Sequence, residues 1–415
     1  MFVMGNISLV RQMNEDKVLD VTFQHGPITR VEISRITGLS KPTVYSVVDK
    51  LIEQNLLIDN GYTSGEVGRA AKIFKVNPDA GYVIGIDLGG TKVHVALSDI
   101  CGRIIGSKIE DTKQDNGKII LKQISSICRE LVVKNEKNWD KVKTVVLGSP
   151  GILDPKKGTM QLAPNIPGFG KINVRRYFFD TFQKEIYIEN DVNLAAVGEH
   201  WRGLTKQIEN FAFIAIGTGI GMGIVINGEL YYGADKIAGE IAYLPIGGNP
   251  FDPKNKCRGT LEEAASGSGI QKRLQDELDS GTSSVINENS TAKEVLLAAD
   301  KEKDPIALKI VEHEAKLIAQ AILSVSAIAN PEVFVLGGGI GSNKVLLEPV
   351  RQAIAKLSPV SIRVERSLLE DQATLYGAIA LGIKRVRENL IYKEEEPADV
   401  IKRNDDYATD YSKTG

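Results

Sequence analysis

The stretch from Tyr82 to Ser98, YVIGIDLGGTKVHVALS, sets two apolar runs on either side of Gly89-Gly90. Such runs around a glycine pair predict an antiparallel hairpin. Glycines there let backbone N–H groups come close to an anion, while Thr91 and Lys92 add a hydroxyl and a positive charge. Asp87, at the end of the first strand, suits a Mg²⁺-bound water beside phosphates. The same residues also suit an ordinary hairpin whose glycines serve turn geometry, and one short motif does not separate the two. The pattern recurs downstream. Phe211 to Gly217 and Ile220 to Asn227 flank a second turn, Gly217-Thr218-Gly219. Two such hairpins predict a duplicated architecture with a nucleotide between the halves.

A chain of 415 residues suits about two to three domains. Hydrophobic residues make up 42% and mean hydropathy is −0.10, which allows a sizeable core and argues against a membrane protein. The opening MFVMGNISLVRQMNEDK has no basic leader and no long apolar region, so no signal peptide is expected. Three scattered cysteines predict reduced thiols in a cytoplasmic protein. The net charge of −2 gives no general pull toward nucleic acid, so any DNA contact must be local.

Residues 1–76 read differently from the rest. Helical apolar spacing runs from Asn6 to Phe23, and Gly26-Pro27 breaks it. Thr29 with Glu32 three residues on is a capping-box pattern, which opens a short helix from Val31 to Thr37. Gly38 turns the chain. Ser40 then caps a second helix, Lys41 to Gln54, which tolerates Pro42 in its first turn and buries Val44, Val47, Val48 and Leu51. This pair predicts a helix-turn-helix. Leu56 to Asp59, Asn60-Gly61 and Lys72 to Val76 predict a hairpin wing beside it. In that geometry Ser40, Lys41, Thr43, Tyr45 and Ser46 lead into the major groove, and the wing offers Arg69 and Lys72 to phosphates. Acidic and basic side chains are equal in number over residues 1–80, so the footprint is local, and a winged helix used for protein contact stays open.

Residues 77–81 read as a linker, residues 82–392 as a two-lobed ligand-binding body, and residues 393–415 as a charged, apolar-poor tail of disordered type. Within the body, strands are predicted over Ile104–Glu110, Lys143–Ser149 and Glu185–Ile188, and a helix over Lys118–Lys134. Glu189-Asn190-Asp191-Val192-Asn193 then opens a helix from Leu194 to Arg202. A strand end opening onto a helix is where α/β proteins place ligands. Asp191 suits a general base there, and equally a helix N-cap. A long helix, Ala307–Ala329, precedes a strand, Glu332–Leu336. That strand runs into Gly337-Gly338-Gly339, glycines suited to close approach of a base or ribose. A closing helix is predicted over Gln372–Arg387.

Taken together these segments resemble the ROK family of bacterial sugar kinases and sugar-responsive repressors, over nearly the whole chain. DLGGTK at 87–92 resembles the family's first phosphate motif, GTGIGMG at 217–223 the second, and LGGGIG at 336–341 the adenosine motif. APN at 163–165, ENDVN at 189–193, GE at 239–240 and LEEAASG at 261–267 resemble its sugar-site segments. The resemblance implies an α/β fold: an N-terminal winged helix-turn-helix followed by a two-lobed, actin-like ATPase (ribonuclease H-like) body. It implies that Asn165, Asn190, Asp191, Glu240 and Glu262 hold sugar hydroxyls, with Asp191 the base if the chain is a kinase. The appended winged helix marks the repressor branch, and the xylose-type repressors fit it best.

One segment departs from the family. A His usually follows GE, and a CxCGxxGC run completes a structural zinc site. Here the His position holds Tyr243, and the run is Pro253-Lys254-Asn255-Lys256-Cys257-Arg258-Gly259-Thr260. One cysteine cannot supply a tetrahedral zinc site, so no zinc is expected, and Tyr243 takes a place beside the sugar. The resemblance therefore implies a repressor of carbohydrate-utilisation genes that releases operator DNA on binding a monosaccharide, with xylose or glucose as guesses. It would act as a homodimer or homotetramer, need no cofactor, and make no membrane contact. The alternative is an active ATP-dependent sugar kinase of hexokinase or glucokinase type, using Mg-ATP and carrying an accessory DNA-binding domain.

Overall fold

A computed structural model describes residues 7–63, 70–113, 116–154, 157–161, 168–279 and 282–391. Arg69, Asn165 and the tail from residue 393 lie outside these.

The N-terminal unit begins with a helix, Ile7–His25, followed by helices Arg30–Thr37 and Lys41–Glu53. The capping box forms as read: the Thr29 hydroxyl accepts from Glu32 N–H at 3.2 Å, and the Glu32 carboxylate accepts from Thr29 N–H at 2.9 Å. Gly38 ends that helix at φ +72°, a conformation glycine adopts without a Cβ penalty. Val44, Val48 and Leu51 are buried in the core of the unit. Strand Lys72–Val76 lies between Ile28–Thr29 and Leu57–Tyr62 in a three-stranded antiparallel sheet. The helix-turn-helix therefore carries a wing.

The wing differs from expectation at Asn60-Gly61. These residues form a bulge inside the strand rather than the hairpin turn. Gly61 sits at φ +92°, the Asp59 carboxylate accepts its N–H at 2.9 Å, and pairing resumes at Tyr62 opposite Lys72. Asp59 supplies a local partner that rewards the bulge, so the strands continue past a sequence that elsewhere would reverse the chain.

The body is built on two five-stranded mixed sheets of matching order. In the first, Ile104–Asp111, Lys92–Asp99, Tyr82–Leu88, Val142–Ser149 and Ile186–Asn190 lie side by side. In the second, Glu229–Leu230, Ile220–Ile226, Phe211–Ile216, Val333–Gly337 and Val364–Arg366 repeat that order. In each, the central strand pairs antiparallel with its hairpin partner and parallel with the strand on its other side. The duplication read from two glycine turns is thus a duplication of whole sheets. A helix on the predicted face, Gly117–Lys134, covers the first sheet, and Pro305–Ala329 with Lys344–Leu357 covers the second.

Two helices join the halves. Asp191–Arg202 starts at the end of the first sheet, and Ala373–Ile391 crosses it closely. A β-carbon on Gly198 would stand 2.0 Å from the Ala373 carbonyl oxygen, and one on Gly377 would stand 1.8 Å from that of Leu194. Only glycine permits backbones this near. Gly377→Ala is accordingly expected to lower stability by about 1–3 kcal/mol through overpacking against backbone that cannot swing away. Equilibrium urea denaturation reads this, and an unchanged midpoint would contradict the tight crossing.

Candidate sugar and nucleotide cleft

The strand ends of both sheets open onto one cleft of about 600 Å³. Asp87, Gly89, Gly90, Thr91, Lys92, Asn190, Asp191, Gly217, Thr218, Gly219, Glu240, Tyr243, Glu262, Gly338 and Gly339 all line it. Segments far apart in the chain converge because each hairpin turn and each strand-to-helix junction lies at the same edge of its sheet. That edge is where open α/β sheets place ligands.

The first turn is closed by Gly89 N–H donating to the Lys92 carbonyl at 2.9 Å, and the Thr112 hydroxyl donates to the Gly89 carbonyl at 2.8 Å. Across the cleft, Gly217 N–H donates to the Gly219 carbonyl at 2.9 Å. At Gly338, φ is +77° and a β-carbon would meet the Ile216 carbonyl oxygen at 2.5 Å. Gly339 has nothing within 4 Å of where its β-carbon would stand. Its open side faces the cleft, as an approaching ligand requires.

At the head of helix Asp191–Arg202 the N-cap role weighed for Asp191 falls on its neighbour. Asn190 is the N-cap, its Oδ1 accepting from Val192 N–H at 2.9 Å and Asn193 N–H at 3.1 Å. Its Nδ2 donates to the Gly151 carbonyl at 3.3 Å. Asp191 is the first helical residue, its Oδ1 accepting the neighbouring Val192 N–H at 2.9 Å. Burial raises the Asp191 carboxyl to about 6, against the pull of that N–H. Asp87 rises to about 8 through burial, then the charges of Asp191 and Asp371. Glu240 is also raised by burial, Asp191 and Glu262. These acids feel one another across the cleft floor, which suits proton acceptance near neutrality.

Several residues around the floor were not singled out in the sequence. Glu189 accepts from Asn190 N–H at 2.9 Å, from Asn193 Nδ2 at 3.0 Å and from the Tyr232 hydroxyl at 3.0 Å, so it orients the strand-to-helix junction. Its place in ENDVN was the only sequence signal. His94, Arg175, Tyr232, Lys236, Arg258 and Asp371 also line the cleft, without a local motif that marks them.

Glu262 is less free than its sequence role suggested. One oxygen accepts Ile220 N–H at 3.0 Å, and the other accepts Arg258 Nε at 3.0 Å. The Tyr243 hydroxyl donates to the Cys257 carbonyl at 3.3 Å, which turns the phenol toward the segment after it. Tyr243 and the lone thiol of Cys257 do not make a tetrahedral zinc donor set. Among the described residues no group of three or more His, Cys, Asp or Glu is arranged to hold a metal.

On the N-terminal unit, Ser40, Lys41, Tyr45 and Ser46 are exposed at the start of the recognition helix. The Thr43 hydroxyl lies 2.7 Å from that of Ser40, so part of its capacity goes to the cap. Lys72, read as a phosphate contact, pairs with Asp59 at 2.6 Å.

The model of the ROK family matches residues 83–385. The chain belongs to the ROK family. A xylose repressor of Caldicellulosiruptor bescii is 29% identical over 393 residues, covering 92% of this chain and 98% of the relative. A glucokinase of Halalkalibacterium halodurans is 32% identical over 287 residues, covering 65% and 84%. The crystal structure of a ROK family transcriptional regulator, a homologue of the E. coli MLC protein, superposes with a TM-score of 0.77 at 22% identity. That match covers 92% of this chain and 98% of the other. The winged helix and the two-lobed body therefore share their fold with that structure over nearly its whole length.

The cleft acids give this ROK chain a pH dependence with a definite sign. Asp191 and Asp87 keep their protons to higher pH in the folded chain than in the unfolded one, where the value is near 3.8. Each therefore stabilises the fold fully below that value. The contribution is lost as pH rises through about 6 for Asp191 and about 8 for Asp87. Thermal melts of the unliganded protein between pH about 5 and about 9 should fall more steeply for the wild type than for Asp87→Asn. Parallel curves would rule out the raised Asp87.

Proposed function

We propose that the chain is a sugar-responsive DNA-binding repressor of carbohydrate-utilisation genes, residues 1–76 reading the operator and residues 82–392 sensing a monosaccharide. The observation that carries this reading is that one helix, Ala373–Ile391, touches both sites. At its start the Thr374 hydroxyl donates to the Asp191 carbonyl at 3.2 Å. Near its end Arg387 pairs with Asp20 on the first helix and stacks over the Phe23 ring at 4.8 Å. Val386 packs in the same apolar cluster as Val18, Leu19, Phe74 and Val76.

Asn165, Asn190, Asp191, Glu240 and Glu262 hold the sugar hydroxyls in this reading, with Tyr243 at the rim. Carboxylate-to-hydroxyl bonds are the strong, orienting kind. Sugar draws the lobes together around the cleft. The helix crossing passes that displacement to Ile7–His25, and paired winged helices in a homodimer or homotetramer lose half-site spacing. The sugar shifts operator binding only as far as it prefers the closed state. Xylose and glucose are the first monosaccharides to test.

The conjunction of both glycine turns with Asp191 in one cleft favours a second reading, an ATP-dependent sugar kinase. Gly89, Gly90, Thr91, Lys92, Gly217, Thr218, Gly219, Gly338 and Gly339 would hold Mg-ATP, with Asp87 on the metal side, and the nucleotide would supply the phosphoryl group. Asp191 would take the proton of the attacking hydroxyl.

Fluorescence anisotropy on the chain's own promoter DNA, with sugars added singly with and without Mg-ATP, separates the two. Release by one sugar without ATP is the expected outcome. ATP consumption with no release would favour the kinase. Lys41→Ala and Thr43→Ala should each weaken specific operator binding by about tenfold and leave sugar affinity unchanged. Asp191→Asn should abolish any phosphorylation and leave operator binding without sugar intact. Loss of that binding would sink the division of labour between the two units.

A further inference from the structure

We propose that Arg258 is the positioning residue that clasps the sugar-binding segment to the second phosphate turn, in the place where a metal would otherwise hold that segment. This rests on the sugar-sensing reading above. Arg258 ends the short helix Asn255–Arg258 and lines the cleft. Its Nε donates to Glu262 Oε1 at 3.0 Å and lies 3.3 Å from Glu263 Oε1. Its Nη2 donates to the Thr218 carbonyl at 3.4 Å. One guanidinium therefore touches a sugar-site carboxylate and the turn assigned to phosphate.

The surroundings converge on the same joint. Glu262 Oε2 accepts Ile220 N–H at 3.0 Å, just past that turn, and Gly267 N–H donates to the Gly217 carbonyl at 2.8 Å. Gly259, next to Arg258, sits at φ +88°, and a β-carbon there would stand 2.2 Å from the Ala242 carbonyl oxygen. The strand of chain bearing Glu240 and Tyr243 is thereby pressed against the strand bearing Arg258, and the Tyr243 hydroxyl reaches the Cys257 carbonyl at 3.3 Å. The side chains of Arg258 and Glu262 are 30% and 15% exposed, so the pair is shielded enough to outweigh an ordinary surface pair. A planar fork of donors serves a carboxylate and a carbonyl from fixed, separated positions, a geometry that a lysine's single ammonium does not reproduce. Among the described residues Tyr243, Cys257 and their neighbours form no metal donor set, and Arg258 supplies the side-chain link from this segment to both Glu262 and the Thr218 carbonyl.

Two consequences follow. Sugar binding is independent of divalent metal. It also depends on Arg258, although Arg258 reaches the sugar only through Glu262. The test uses the full-length protein, titrated calorimetrically with the sugar that releases DNA, as wild type, Arg258→Met and Arg258→Lys. Wild type is also titrated with EDTA and 1,10-phenanthroline. Hydrogen exchange of residues 239–263 is followed in each without sugar. Arg258→Met keeps the apolar stem and removes the donors. It should lose about tenfold or more in sugar affinity, with unchanged sugar-free operator affinity. Arg258→Lys should recover part of the loss, and the chelators should change nothing. Exchange over 239–263 should quicken in Arg258→Met alone.

Wild-type affinity in Arg258→Met, or loss of sugar binding in chelator, would overturn the clasp. If no sugar releases DNA, the repressor reading fails. The clasp is then still judged by exchange: unchanged protection of residues 239–263 in Arg258→Met would overturn it.

Discussion

Where Gly377 passes the Leu194 carbonyl, two helices approach more closely than any side chain would allow. The rest of the molecule depends on that crossing. Asp191–Arg202 presents Asn190 and Asp191 to the cleft from its N-terminus, so whatever fixes the helix fixes the polar head of the site. Ala373–Ile391 also lies against the first sheet. Gly85 leaves room for Ile379, and Gly382 leaves room for Val83, with neighbours inside 3 Å of any added β-carbon. Glycines on three elements thus let one helix seat against both its partners. The same helix touches the Asp191 carbonyl through Thr374 at its start and Asp20 of the first helix through Arg387 near its end, so it joins the cleft to the N-terminal unit.

The electrostatics of the cleft point the same way. Asp87, Asp191 and Glu240 each resist ionisation chiefly because they are buried, and the charge of Asp191 adds to the rise of the other two. Acids so placed accept hydroxyl protons in hydrogen bonds at lower cost than full charges would, and they favour polar or cationic company. The neighbouring carboxylates whose geometry is committed, Glu189 and Glu262, are held by Tyr232, Asn193, Ile220 and Arg258. Orientation and acceptance are divided between the two sets.

The winged helix uses many of its charges internally. Lys72 pairs with Asp59, Arg30 with Asp49 and Lys50 with Glu15. Arg30 also lies 4.6 Å over the Tyr45 ring and steadies a residue of the recognition helix. Three of its described cations are thus committed within the unit, and the exposed polar start of Lys41–Glu53 carries none of these pairs.

Local chemistry in the sequence was enough to determine the hairpins at Asp87–Lys92 and Gly217–Gly219, the capping box at Thr29, the buried face of the recognition helix and the resemblance to ROK proteins. Each element, and each motif of the resemblance, rests on residues close together in the chain, where spacing and glycine freedom decide. What the tertiary structure alone decided are matters of partnership. Asn60-Gly61 reads as a turn until Asp59 and the continuing strand make it a bulge. Asn190, not Asp191, caps its helix, which leaves Asp191 to the cleft. Arg258 is unremarkable between Cys257 and Gly259 until folding brings Glu262 and Thr218 to it. These outcomes depend on which groups from distant segments arrive at the same edge of the two sheets, and no local pattern encodes that.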